Sequence, residues 1–256
     1  MSATSSRTAL TDGIRFAFGT LTVLPVTVTR WDRDAARAGM LCAPLAGLVV
    51  GVAAAALGGA LTFLGAGALL AAVASVAVPA VLTRGLHLDG LADVADGLGS
   101  GKPAADALRV MKQSDIGPFG VVTLVLTLLA QIAALAQLYA QSWAHGAVAA
   151  AACAVTARLA LTFAARAGVP AARPEGLGAA VAGTVPPRAA LLTGLVVAAL
   201  AAALSPGAAL GVVLGCAAAE VLLRRCVRRF GGVTGDVFGA VAETAATAVL
   251  ITLTLT

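Results

Sequence analysis

The chain has 256 residues, 60% of them hydrophobic and only 11% charged, with a mean hydropathy of +0.97. A soluble domain would carry about a quarter charged residues, so a water-soluble globule is excluded. The net charge of +5 comes from 17 Lys and Arg set in short blocks between apolar runs, which reports membrane orientation and not nucleic-acid binding.

No Ser/Pro-rich linker interrupts the sequence, so residues 1–256 read as one domain. Near the N-terminus, Asp12 and Arg15 break any signal-peptide apolar core, and no small-x-small cleavage site follows. Three stretches then lack Asp, Glu, Lys and Arg: Met40 to Thr83, Ile116 to Ala157, and Ala189 to Ala219. A bilayer core takes about 20 helical residues, so each of the first two holds a helix pair. Their turns are predicted at Gly65 to Gly67 and at Gln141 to Gly146, where Tyr139 and Trp143 suit an interface. The third stretch divides at Ser205-Pro206-Gly207 into two marginal spans. A last apolar segment, Val237 to Thr256, is broken only by Glu243.

The fold class predicted is all-α, a polytopic transmembrane helical bundle of about seven spans. An odd count brings every basic block to one side: Arg7 to Arg37, Arg84 to Lys112, Arg158 to Arg188, and Arg224 to Arg229. The positive-inside rule makes that side, and the N-terminus, cytoplasmic. Treating Ala189 to Ala219 as one helix would send the last block outward. The four cysteines, Cys42, Cys153, Cys216 and Cys226, show no C-x-x-C spacing, so neither a disulfide framework nor a zinc site is expected.

The densest acidic cluster lies between the second and third spans, in Arg84-Gly-Leu-His-Leu-Asp-Gly-Leu-Ala-Asp-Val-Ala-Asp-Gly-Leu-Gly99. On a helix, Asp89, Asp93 and Asp96 share one face. Three aligned carboxylates repel one another, and either water or a bound divalent cation relieves them. Hard Mg²⁺ commonly joins a few carboxylates to substrate phosphates. A solvated loop with Asp caps is the plain alternative, but the Leu and Ala residues between the acids suit a packed segment. His87, two residues before Asp89, is a general base, a substrate contact or a loop residue, with a site role favoured by its neighbours.

Further inward loops add acid, base and glycine together. Lys112 and Asp115 lie in Met111-Lys-Gln-Ser-Asp-Ile-Gly-Pro-Phe-Gly120, Arg173 in Arg-Pro-Glu-Gly-Leu-Gly178, and Asp236 in Phe230-Gly-Gly-Val-Thr-Gly-Asp-Val-Phe-Gly-Ala240. Simple helix capping is the rival role for Asp236. Arg158, at the end of the fourth span, reads as a snorkelling arginine or as a phosphate ligand. Pro103 to Gln113 is mildly amphipathic and suits a short interfacial helix over the site. Carboxylates with Mg²⁺, and cationic side chains beside glycine-exposed backbone, are what phosphoryl transfer requires.

These four motifs together resemble cobalamin synthase, the adenosylcobinamide-GDP ribazoletransferase family, from about Phe16 to Glu243. The resemblance implies transfer of the cobinamide-phosphate moiety of adenosylcobinamide-GDP to α-ribazole or its 5′-phosphate, with attack by the ribose 3′-hydroxyl and release of GMP. It implies Mg²⁺ held by Asp89, Asp93 and Asp96, with Asp236 as a further ligand or helper. Arg84, Lys112, Asp115, Arg158 and Arg173 are expected on the substrate, and His87, Lys112 and Arg173 in phosphate contact or proton handling. A multi-pass protein of the cytoplasmic (inner) membrane follows, in contact with lipid, its active site facing the cytoplasm; a homo-oligomer is compatible with it. The sequence departs from the family where Gln113 stands in place of an acid and Asp115 in place of a base, so either Asp115 substitutes or that acid is dispensable. Two rivals are weaker. A CDP-alcohol phosphotransferase would need the Ala-Arg pair that Asp93 and Val94 replace, and a transporter would place its acids nearer the midplane.

Overall fold

The computed structural model describes residues 3–256, with side chains described from residue 9 onward. Arg7, one of the basic residues counted above, therefore lies outside the described side chains. The helices are α1 (Ala3–Leu21), α2 (Arg33–Phe63), α3 (Ala68–Leu82), α4 (Leu86–Gly99), α5 (Ala104–Val110), α6 (Pro118–Gln141), α7 (Trp143–Ala164), α8 (Leu177–Val181), α9 (Pro187–Leu204), α10 (Pro206–Phe230) and α11 (Gly235–Thr254). Only two isolated β-bridges accompany them among the described residues.

Six helices, α2, α6, α7, α9, α10 and α11, are long and apolar enough to cross a membrane. A seventh candidate span is the pair α3 and α4, in which α4 turns 88° away from α3. Thr83 ends α3. Arg84 (φ 53°) and Gly85 (φ 70°), both left-handed, make the elbow. We read α3 as the crossing and α4 as a helix laid crosswise at the end of the bundle that carries the basic loops.

The local sequence explains the helix limits. Pro118, Pro187 and Pro206 stand at the first turns of α6, α9 and α10, where the missing N–H costs nothing. Single extended serines, Ser142 and Ser205, separate α6 from α7 and α9 from α10, and each side chain accepts from a backbone amide of the following helix. The second predicted turn is accordingly tighter than expected, because Ser142 restarts the helix at once. Two elements had no sequence expectation, the short α8 and α1, of which α1 bears on the site. It buries Phe16 and Ala17 while leaving Leu10 and Ile14 exposed, and Asp12 pairs with Arg30 at 3.0 Å to hold the connection into α2.

The core is built from small residues, as membrane bundles are when van der Waals contact replaces the hydrophobic effect. Two such contacts fix α4. A Cβ at Gly90 would lie 2.6 Å from the Asp236 carbonyl oxygen, and one at Gly239 would lie 2.9 Å from that of His87. Backbone therefore meets backbone where α4 crosses the start of α11.

Candidate active site

The crosswise helix forms one wall of an open cavity of about 700 Å³. Asp89 and Asp93, one turn apart on α4, face it, with Arg84 at the elbow and Gln113, Ser114 and Asp115 from the loop before α6. Thr20 and Thr22, at the end of α1, close another side. Their hydroxyls donate to the carbonyls of Phe16 and Phe18 at 2.6 and 2.7 Å, and Thr22 Oγ1 also accepts from the Leu24 amide at 3.2 Å, so Thr20 is the freer acceptor. Sequence reasoning missed both threonines, because nothing in a short polar segment ahead of the first span signals that it folds back onto a loop some sixty residues later.

Asp236 and Arg173 approach from the neighbouring loops. Thr234 caps α11 by accepting from the Val237 amide at 3.3 Å and donates to Asp236 Oδ2 at 3.0 Å. The segment after α7 is tied to the segment before α11 by Ala172 N–H to the Val233 carbonyl at 2.9 Å and Val233 N–H to the Pro170 carbonyl at 2.8 Å. That pairing brings Arg173 Nη1 to 4.0 Å from Asp236 Oδ2. Arg173 Nη2 also donates to the Leu108 carbonyl, which fastens α5 over the same site.

The carboxylates crowd. Burial, then the charges of Asp236, Asp89 and Asp96, push Asp93 up to about 7 against the opposing pull of Arg173. Among the described residues no group of three or more His, Cys, Asp or Glu forms a ready-made metal cage. Mg²⁺ does not need one: it is usually bound through one or two carboxylates, waters and substrate phosphates. Asp89 and Asp93 on the cavity wall, with Asp236 within electrostatic range, are a hard oxygen set that fits it.

Asp96 is used differently. It is buried, and its two oxygens accept the backbone amides of Gly117 at 2.7 Å and Gly120 at 2.9 Å, at the start of α6. These two bonds join α4 to α6. His87 is 3% exposed, does not line the cavity, and its Nε2 has no partner among the described residues. Burial, with the nearby Arg158 charge, holds its imidazole well below the ordinary histidine range and therefore neutral. Lys112 is exposed beyond the cavity lining. Arg158 is 3% exposed and faces a different, mostly buried cavity. The predicted α5 is present, seven residues long, with Ala107 and Met111 turned inward.

A family model described as cobalamin-5-phosphate synthase matches residues 13–254. The chain belongs to the cobalamin-5-phosphate synthase family. Similar proteins carry the name adenosylcobinamide-GDP ribazoletransferase. One from Nocardioides sp. is 44% identical over 94% of this chain and 97% of its own length. Another, from Frankia casuarinae, is 41% identical over 94% of each chain. A third, from Bradyrhizobium diazoefficiens, is 39% identical over 93% of this chain and 91% of its own length. No solved structure matches. Within this cobalamin-5-phosphate synthase fold, the motif residues that reach one cavity are Arg84, Asp89, Asp93 and Asp115, with Asp236 and Arg173 beside them.

Proposed function

We propose that this protein catalyses Mg²⁺-dependent transfer of cobinamide phosphate from adenosylcobinamide-GDP to α-ribazole or α-ribazole 5′-phosphate, releasing GMP. The observation that carries the reading is the pair of carboxylates one helical turn apart on a single cavity wall, in a chain whose relatives bear that transferase name. Asp89 and Asp93 would hold the ion, with Asp236 next to them. Bound there, Mg²⁺ supplies charge compensation on the phosphate oxygens.

The protein's own residues do the rest by position and charge. Arg84, projecting at the elbow, and Arg173, steadied by the Leu108 carbonyl, hold the diphosphate in line for displacement. Gln113, Ser114, Asp115, Thr20 and Thr22 offer donors and acceptors to a nucleoside. A cavity of about 700 Å³ suits the reacting phosphate and one nucleoside-sized group, so the bulky corrinoid projects from its mouth. Asp96 anchors α4 and stays outside the ion's own ligands. His87 and Arg158 do not line this cavity.

The basic blocks lie in the loops at the end carrying α4, and the positive-inside rule supports a cytoplasmic mouth in the inner membrane. A C-terminal alkaline phosphatase fusion should then be active and a C-terminal fluorescent-protein fusion dark. The activity is tested by following GMP release from purified protein in lipid nanodiscs. Release that needs both substrates and stops with chelator supports the reading; well-folded protein that releases none overturns it.

A further inference from the structure

A second group of buried polar side chains takes no part in that chemistry. Between α2, α3, α6, α7 and α11 lies a mostly buried cavity of about 30 Å³, lined by Ser75, Gln131, Cys153, Arg158 and Glu243 among apolar neighbours. Arg158 Nε and Nη2 are buried with no hydrogen-bond partner among the described residues. Glu243 lines the same cavity and interacts electrostatically with Arg158, yet no ion pair within 4.0 Å joins them among the described residues. Gln131 Nε2 donates to Glu243 Oε2 at 2.9 Å and to Thr247 Oγ1 at 3.0 Å, which fixes the carboxylate on one side. On the other side, Ser75 Oγ lies 2.8 Å from Tyr139 Oη.

An unsatisfied guanidinium in such a place would cost several kcal/mol. A water molecule needs roughly 10–15 Å³ of such volume and two to four polar partners. The cavity offers room for about two, with a cation and a carboxylate both in its lining. The carboxylate argues against an anion there.

We propose that one or two ordered water molecules occupy this cavity and bridge the Arg158 guanidinium to the Glu243 carboxylate, forming a water-mediated ion pair that ties α7 to α11. Glu243 lies seven residues, two helical turns, beyond Asp236 on the same face of α11. The bridge therefore fixes the register of the helix on which α4 rests. The proposal does not depend on the transferase reading.

A cryo-EM map of the protein in lipid nanodiscs, at a resolution that shows water, tests it directly. Density within hydrogen-bond distance of both Arg158 and Glu243 is expected. Direct contact between the two side chains, an ion at Arg158, or a water column open to either surface would overturn it. Thermal unfolding in the same nanodiscs gives an independent reading. Arg158→Met and Glu243→Gln should each lower the midpoint by on the order of 10 °C, and the combined Arg158→Met/Glu243→Leu variant should recover most of that loss. Additive losses would overturn the proposal, as would a double variant that fails to fold alongside two singles that also fail.

Discussion

Replacing Gly90 by alanine adds one methyl group where α4 meets α11 backbone to backbone. The new Cβ would stand 2.6 Å from the Asp236 carbonyl oxygen and 2.9 Å from its Cα. Ordinary contact begins near 3.4 Å, so α4 and α11 must separate by roughly 0.8 Å, and both partners are backbone with no rotamer to yield. Overpacking of this kind costs about 1–3 kcal/mol of stability. The functional loss is larger, because displacing reacting groups by about 1 Å can cost roughly 100-fold in rate. Gly59→Ala is the matched control: its Cβ would meet only a Trp143 ring atom at 3.8 Å, inside α2, where alanine is the better helix former. The assay is kcat for GMP release, with thermal midpoint, for both variants in nanodiscs. We expect Gly90→Ala to lose on the order of 100-fold in kcat while Gly59→Ala keeps full activity. Wild-type kcat and midpoint in Gly90→Ala would refute the argument that backbone contact between α4 and α11 sets the site.

Three further outcomes are expected. Asp89→Asn and Asp93→Asn should insert and fold but lose turnover, and GMP release at wild-type rates by either, at any Mg²⁺ concentration, would remove that residue from the ion's ligands. Asp93, pushed up to about 7, binds its proton more tightly folded than unfolded. Chelator-treated protein should therefore gain stability as pH falls from about 8 towards 5, and Asp93→Asn should flatten that gain; a midpoint indifferent to both changes would count against the crowding of carboxylates. Asp96→Asn presents an amide to one of the two backbone amides that Asp96 accepts. It should lose about 1.5–3 kcal/mol of stability and much of kcat while the Mg²⁺ concentration for half-activity stays within about twofold. A large rise in that concentration would restore Asp96 as a ligand.

The helices were legible because charge-free runs of 31 to 44 residues have few alternatives in a bilayer, and the turns at Gly65 and Ser205 carried their own chemistry. The charge blocks gave a count of about seven, against six to seven candidate spans in the structure. The acidic segment was legible as a helix with a shared face, but its course was not: a run interrupted by Asp89, Asp93 and Asp96 gives no hint that it packs by glycine against α11 or turns 88° from α3. The two roles hidden among three similar aspartates were equally invisible, since spacing alone cannot tell a carboxylate facing a cavity from one occupied by the amides of Gly117 and Gly120. The position of α1 escaped notice because its mixed polar sequence has neither the length of apolar run of a span nor a motif. Arg158 shows the limit most directly, because its neighbours Gln131 and Glu243 come from helices far apart in the chain.

A crossing made by α3 has only 15 residues, about 22 Å at 1.5 Å per residue, against a hydrocarbon layer of about 30 Å. Lipid beside it has to shorten its tails or let headgroups sink towards Thr83. A bilayer fitted to α3 would be dimpled at the elbow, with the aspartate-bearing helix as the floor of that dimple. Under the proposed transfer, a charged leaving group would then depart into water while its bulky partner stayed against the lipid slope.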